Sequence, residues 1–301
     1  MSQRQKGILC IILSSFSFAM MNLFVHMAGE LPSIQKSFFR NFIAMLFALA
    51  ILLKEKPVVS LDKESKRYLI YRSVFGTIGI VCNFYAVDHM LLSDASLLNK
   101  MSPFFSVLFA ILFLKEKINL FQLFSIIFAF IGALFVIKPT GINLNTLPAN
   151  LNTLPALVGL FGGICAGAAY TFVRAMGQRG VQGPVIVFFF STFSCLVTLP
   201  YLVFQFHPMS LYQTVMLLLT GLAATGGQFG ITAAYCYAPA KEISVFDYSQ
   251  IPFAALLGFV FFGQIPDLYS WFGYFIICGT ALAMFLYLNE HFHKSKEVLT
   301  K

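Results

Sequence analysis

The sequence predicts an all-α membrane protein in which ten transmembrane helices form two inverted repeats of five helices. Of its 301 residues, 58% are hydrophobic and 11% are charged, whereas a soluble domain carries about 25% charged residues. The apolar stretches are continuous over about 20 residues, the length that a helix needs to cross a bilayer. They lack the alternation of polar and apolar residues that marks a transmembrane β-strand. Helices also leave no backbone group unpaired in lipid.

Short segments with proline, glycine or charge separate the ten candidate spans. The spans are predicted at 7–27, 33–53, 68–88, 94–114, 119–137, 155–175, 183–205, 212–236, 242–263 and 268–288. The first follows Arg4 and Lys6, as the apolar core of a signal peptide would, but it continues past Ala19 without a convincing cleavage site. We therefore predict that it is retained as the first span.

Lysine and arginine are distributed unequally among the segments that connect the spans. With the N-terminus in the cytoplasm, most of them fall on the cytoplasmic side, and only Lys36 and Lys138 fall outside. Because cytoplasmic segments are enriched in these residues, both termini are predicted to be cytoplasmic in a multi-pass protein of the cell (inner) membrane. The net charge of +8 then reflects contact with the headgroups of the lipid bilayer, and no nucleic-acid partner is predicted.

Two separate similarities indicate an internal repeat. FVHMAGEL, which starts at residue 24, resembles FVRAMGQR, which starts at residue 172. The segment 96–116 resembles 244–264, with Pro103 matched to Pro252 at an offset of 149 residues. Since five is an odd number of spans, the two copies must be inverted, as in secondary transporters with a substrate site near the midplane. The predicted parts are a first repeat at 7–137, an extracytoplasmic linker at 138–154, a second repeat at 155–288 and a cytoplasmic tail at 289–301.

Four charged residues lie inside the predicted spans: Arg40, Arg72, Lys100 and Asp247. Ionisable groups in a membrane are costly and usually functional, and Asp247 is the only acid placed deep in a span. Lys100 lies at the matching position of the other repeat, so the two residues either pair directly or hold two ends of one substrate. Arg40 and Arg72 lie near enough to the ends of their spans to reach the interface instead.

Polar residues at helical spacing share a face on several spans. The third span carries Arg72, Gly76, Gly79 and Asn83, the eighth Thr225, Gln228, Thr232 and Tyr235, and the first Ser15, Asn22 and His26. Stripes on different spans indicate a shared wet cavity rather than isolated hydrogen bonds between helices. The predicted substrate site consists of Asp247, Tyr248, Gln250, Lys100, Asn99, Asn83, Gln228, Tyr235, Arg72 and Arg40, with Pro103 and Pro252 as helix breaks or gates.

Glycines also line faces of two spans. Gly159, Gly163 and Gly167 repeat every four residues in the sixth span, which is typical of close helix packing. Gly226, Gly227 and Gly230 in the eighth span could pack in the same way or act as a hinge.

Sequence motifs of enzymes and metal sites are absent. The chain has no HExxH, Walker or GxSxG motif and no clustered metal ligands. Its six cysteines lie in apolar runs without CxxC spacing. We therefore expect no catalytic residue, no metal and no cofactor.

Several stretches resemble the EamA repeats of the drug/metabolite transporter superfamily. They are SFFRNFIAMLFALAI, YRSVFGTIG, ASLLNKMSPFFSVLFAILFLKEK, IIFAFIGALFVIKP and the closing VFDYSQIPFAALLGFVFFGQIPDLYSWFGYFIICGTAL. The resemblance implies a ten-helix basket with a central cavity, alternating access and cytoplasmic termini. It carries over onto Pro103 and Pro252, Arg40, Arg72, and Asp247 with Tyr248. The closing pattern is most similar to the subgroup that includes S-adenosylmethionine carriers.

The sequence departs from this family at two positions. Gln264 stands where the family usually has glutamate, which Glu116 supplies in the first repeat. Lys100 is basic at a position where the family gives no reason to expect a basic residue, and it is a candidate mark of this protein's own substrate.

The predicted function is secondary active transport of a small polar or zwitterionic metabolite, such as an amino acid or an S-adenosylmethionine-like compound. Asp247 would hold an ammonium, a sulfonium or a coupling proton, and Lys100 and Arg72 would hold a carboxylate or phosphate. The alternatives are an exporter of hydrophobic cations or drugs and a membrane-embedded lipid-modifying enzyme. An enzyme would need acid, base or nucleophilic groups gathered near the interface. The protein is expected to be a monomer or homodimer.

Overall fold

The computed structural model describes residues 1–55, 61–89, 98–115, 118–137, 153–263 and 268–299, and these ranges contain helices and no strand. The helices are α1 (Gln3–Met27), α2 (Ser33–Glu55), α3 (Lys63–His89), α4 (Ser102–Leu114), α5 (Leu120–Ile137), α6 (Thr153–Gln178), α7 (Gly183–Phe204), α8 (Leu211–Tyr237), α9 (Ala240–Asp247), α10 (Gln250–Phe262) and α11 (Leu268–Leu299). Glu116, Gln264 and most of the predicted linker lie outside the described residues.

The helices fit a multi-pass membrane protein. Within the described ranges, six helices (α1, α2, α3, α6, α7 and α8) are long and apolar enough to cross a bilayer. Shorter apolar helices at 104–114, 120–132, 245–261 and 271–284 coincide with the fourth, fifth, ninth and tenth predicted spans. The all-α prediction is therefore confirmed. Helix α11 also continues beyond 288, where the sequence predicted a tail.

The predicted span at 242–263 is not one continuous helix but is interrupted close to Pro252, one of the two prolines named above as helix breaks or gates. Helix α9 ends at Asp247 and α10 begins at Gln250, so that Tyr248 and Ser249 form a turn. In the other half, a turn at Lys100 and Met101 precedes α4. Both breaks come just before a proline, since proline fits the first turn of a helix but has no N–H for a helix that continues through it.

The two halves share helix lengths and end structures. Helices α3 and α8 each have 27 residues, and α4 and α10 each have 13. Lys115, directly after α4, has φ 54°, and Gly263, directly after α10, has φ 65°. These left-handed residues close the last turn in the same way in both halves.

The helices of the two halves pack against each other in matched pairs. Helix α1 packs on α8 as α3 packs on α6, and α10 packs on α1 as α4 packs on α6. Helix α2 meets α7, and α5 meets α11. An approximate twofold relation between the halves accounts for all of these contacts, and it places the two helix breaks near each other.

The glycines of α6 allow its backbone to lie directly on α4. A Cβ added at Gly163 would lie 2.5 Å from the carbonyl oxygen of Leu98, and one at Gly167 would lie 2.6 Å from the Cβ of Phe105. In the second half, a Cβ at Gly227 would lie 2.6 Å from the ring of Phe18. Close packing therefore explains the glycines of both helices, and α8 continues through Gly226, Gly227 and Gly230 without a break.

Candidate functional site

A cavity of about 360 Å³ lies between the two halves. Its wall includes His26, Gly29 and Glu30, which are exposed at the end of α1. The cavity therefore opens at the face where α1 connects to α2. Eight of the ten predicted substrate-site residues line it: Arg40, Arg72, Asn83, Asn99, Lys100, Gln228, Asp247 and Gln250.

The other two predicted site residues lie behind the cavity wall. Tyr235 and Tyr248 are 1% and 0% exposed, and their hydroxyl groups have no hydrogen-bond partner among the described residues. The Tyr235 ring stacks on the ring of Tyr170, with 5.0 Å between centroids, and Tyr170 itself lines the cavity. Tyr235 therefore packs behind Tyr170 and supports the cavity wall without lining the cavity itself.

Lys100 and Asp247 form a buried ion pair between the two helix breaks. The Lys100 Nζ lies 3.4 Å from the Asp247 Oδ2, and the two residues are 7% and 3% exposed. The same ammonium donates to the Gln250 Oε1 at 2.6 Å. Of the two alternatives that the sequence left open, the structure thus shows direct pairing. Each charge compensates the cost of burying the other.

The end of α9 is also satisfied by side chains from elsewhere. The Asp247 carbonyl oxygen accepts from the Lys100 Nζ at 3.3 Å and from the Ser15 Oγ at 3.2 Å. The last carbonyls of a helix have no partner within the helix, and a cation there interacts favourably with the helix dipole. Lys100 therefore has two roles: its ammonium hydrogen-bonds to the last carbonyl of α9, and it neutralises the negative charge of the Asp247 carboxylate.

Arg40 and Arg72 line the cavity instead of reaching the membrane interface. They are 5% and 2% exposed, so the alternative that they extend to the surface is wrong. Helix α3 begins at Lys63, five residues before the predicted span, which places Arg72 well inside the helix. The depth of an arginine depends on the helix start, which sequence patterns locate poorly.

Neutral groups surround the two guanidinium groups. The Arg40 Nη1 donates to the Asn41 Oδ1 at 2.9 Å, and its Nη2 donates to the Gln228 Oε1 at 3.4 Å. The Arg72 Cζ lies 4.0 Å from the centroid of the Phe190 ring, in cation–π contact. A Cβ at Gly76 would lie 1.9 Å from the Arg72 Nη1, so this glycine makes room for the guanidinium.

Sequence reasoning missed Tyr170, Phe190 and the cavity role of Lys36. Tyr170 and Phe190 lie in apolar stretches without a polar stripe, so no sequence signal distinguishes them. Lys36 was counted as a charge outside the membrane, but it is 6% exposed and lines the cavity. Among the described residues, no group of His, Cys, Asp and Glu could hold a metal ion.

A cluster of charged residues connects the halves at the face opposite the cavity mouth. In this cluster, which we call the Arg179 cluster, the Arg179 guanidinium contacts the Asp62 Oδ2 at 2.9 Å and the carboxylate of Glu64. Arg179 follows the end of α6, and Asp62 and Glu64 lie at the start of α3. A hydrogen bond from Ser65, together with the charge of Arg179, lowers the pKa of Asp62. Its carboxylate therefore stays ionised until the pH falls below the ordinary aspartate range.

The chain resembles known transporters over almost its whole length. It is 33% identical over 282 residues to a protein named Pseudopaline exporter CntI from Pseudomonas aeruginosa, with 93% of this chain and 96% of the exporter covered. It is 27% identical over 272 residues to Solute carrier family 35 member G1 from Mus musculus, with 86% of this chain and 73% of the carrier covered. A solved crystal structure matches it with a TM-score of 0.77 at 15% identity, covering 94% of this chain and 98% of the other, which shows a shared fold.

Residues 5–138 and 153–286 each match the EamA-like transporter family, and these segments correspond to the two halves of the fold. Together with the relatives that are named as transporters, the match identifies the protein as a transporter and not an enzyme. The finer similarity to S-adenosylmethionine carriers stays a prediction. On its sequence and its fold, the chain belongs to the EamA-like transporter family.

Proposed function

We propose that the protein is a secondary active transporter that binds a small polar or zwitterionic metabolite in the central cavity and moves it by alternating access. The observation that carries the proposal is the buried Lys100–Asp247 pair at the two helix breaks. Secondary transporters bind substrates near the midplane with discontinuous helices of this kind. Buried charges within a membrane are otherwise expensive, and they mark substrate or ion pathways.

The pair can exchange its internal contact for contacts with substrate. An amine of the substrate would approach Asp247, and a carboxylate would approach Lys100, so each charge keeps a counter-charge. Gln250 and Ser15, which already bond to these two residues, can hold them while the exchange occurs. In the same way, a coupling proton could bind the Asp247 carboxylate when its contact with Lys100 opens.

The charges of the cavity favour this substrate class over hydrophobic cations. Lys36, Arg40, Arg72 and Lys100 line the cavity, against the acids Glu30 and Asp247. A cation without acidic groups would be repelled by this excess of positive charge. A relative named as an exporter favours movement out of the cell.

A ligand screen tests the proposal directly. Purified protein in detergent is expected to unfold at a higher temperature with its substrate, because a ligand at 100 times its Kd stabilises the folded state by about 2.7 kcal/mol. A panel of amino acids, amines, nucleoside derivatives and organic acids should contain compounds that both stabilise the protein and enter proteoliposomes. If no compound does either, the metabolite proposal is wrong.

For alternating access, the Arg179 cluster is the candidate closure of the face opposite the cavity mouth. We expect Arg179→Ala to open that face more often, and so to increase maleimide labelling of a Leu69→Cys reporter about two- to fivefold. Leu69 is 3% exposed and lies about two turns beyond the start of α3. The experiment uses a background without the native cysteines. Lys66→Ala is the control, since Lys66 is exposed on the same turn of α3, whereas Arg67 lies 3.9 Å from Glu64 of the cluster.

Equal labelling in the Arg179→Ala and Lys66→Ala variants would show that the Arg179 cluster does not hold this face closed. An Asp62→Asn variant should increase labelling less than Arg179→Ala does, because the contact between Arg179 and Glu64 remains.

A further inference from the structure

The cavity holds two positive charges that no acid among the described residues compensates. Asp247 already pairs with Lys100. At the mouth, the positive charge of Lys36 and the negative charge of Glu30 cancel in the net charge of the cavity. Arg40 and Arg72 remain, and within the described residues neither has a carboxylate in ion-pair distance.

Both guanidinium groups retain capacity for a ligand. Arg40 donates hydrogen bonds to two neutral amide oxygens. These bonds satisfy two of its N–H groups, but they do not neutralise its positive charge. Arg72 is 2% exposed, its Nε has no hydrogen-bond partner in the described structure, and its positive charge faces a phenyl ring. The two groups line the same cavity and carry charge of the same sign, so they repel each other. Such an arrangement is costly in a membrane unless an anion enters between them.

Building on the proposed function, we propose that Arg40 and Arg72 form an anion subsite and that the substrate is a net anion with at least two acidic groups. One acidic group binds the guanidinium groups, and the other contacts Lys100 while an amine contacts Asp247. A carboxylate and a phosphate both suit this subsite, since guanidinium donates to both in the same forked geometry.

Matched pairs of ligands test the second acidic group, and in the carboxylate–amide pairs the size is nearly unchanged. Glutamate is compared with glutamine, aspartate with asparagine, and O-phosphoserine with serine, by thermal-shift titration of the full-length protein. Each anion is expected to bind at least about tenfold more tightly than its neutral partner, the effect of one charged hydrogen-bonded contact. The phosphoserine and glutamate arms distinguish a phosphate from a carboxylate.

Variants locate the effect at the two arginines. Arg72→Gln and Arg40→Gln should each weaken binding of the acidic member of a pair about 10- to 100-fold and of the neutral member less than about threefold. Arg72→Lys keeps the positive charge but loses the forked pair of N–H donors. Its affinity for the acidic ligand should lie between that of the unchanged protein and that of Arg72→Gln. Arg67→Gln, on the exposed side of α3, is the control and should bind as the unchanged protein does.

A stability measurement separates binding from a purely structural role. Without ligand, Arg72→Gln should unfold at the same or a higher temperature, because it removes a buried charge that has no counter-charge. A large decrease would instead show that Arg72 is needed for folding and would overturn the inference.

The outcomes also separate this inference from the proposed function. Transport of a neutral zwitterion that does not depend on Arg40 or Arg72 overturns the anion subsite and leaves transport of a metabolite standing. If none of the six probes and no compound of the wider panel binds or is transported, both proposals are wrong.

Discussion

Asp247→Asn is expected to reduce transport about 100-fold, the factor that corresponds to roughly 3 kcal/mol. The amide is nearly the same size as the carboxylate, and its oxygen can still accept from Ser15. The change leaves the Lys100 ammonium, which is 7% exposed, without its counter-charge. Breaking a buried pair by removing one partner costs about 3–5 kcal/mol, so the melting temperature in detergent should fall as well.

The double variant Lys100→Gln with Asp247→Asn separates stability from transport. With both charges removed, no uncompensated ion remains, and two amides can hydrogen-bond to each other and to Gln250. We therefore expect the double variant to be more stable than Asp247→Asn alone. Transport should remain absent, because neither an amine nor a carboxylate of the substrate finds its counter-charge.

Two exposed residues at the end of α2 provide matched controls. Glu55→Gln and Lys54→Gln make the same changes in charge where solvent reaches the side chains, and both stability and uptake should be unchanged. If Asp247→Asn transports as well as Glu55→Gln, the assigned role of the pair is wrong. Both uptake in proteoliposomes and thermal unfolding are needed, because a folding defect alone would also lower uptake.

The charged part of the candidate site is visible in the sequence because charge is rare in a membrane span. Lys100 and Asp247 stand out for this reason, and the repeat relates their positions. Tyr170 and Phe190 carry no such signal, since aromatic residues fill most of the neighbouring helix faces. Their place beside the arginines is a result of packing between α6, α7 and α3, which only the structure provides.

The sequence marks Pro103 and Pro252 as candidate helix breaks or gates, but it does not decide whether each proline kinks or interrupts its helix. The segment from Val245 to Phe261 is apolar enough to read as one helix, and a proline permits either a kink or a break. Whether the helix breaks depends on hydrogen-bond donors that can reach the unpaired carbonyl groups at the end of α9. Lys100 and Ser15 provide them, and they come from distant parts of the chain.

Gly163→Ala is expected to destabilise the protein by about 1–3 kcal/mol, the usual cost of overpacking a tight core. The added Cβ would lie 2.5 Å from the carbonyl oxygen of Leu98. This atom belongs to the backbone, so the conflict cannot be relieved by rotating a side chain, and α6 must move away from the segment that precedes α4. Thermal unfolding in detergent measures the loss.

The same change should also impair transport, because Leu98 lies just before the break that holds Lys100. Moving that backbone shifts the Lys100 Nζ away from the Asp247 Oδ2, a contact that is already 3.4 Å long. Gly279→Ala is the matched control: its added Cβ meets nothing within 4 Å, and alanine favours a helix over glycine by about 1 kcal/mol. If the two variants are equally stable, α6 and α4 are not packed as closely as the glycines of α6 indicate. If Gly163→Ala is less stable but transports normally, the position of Lys100 does not depend on this contact.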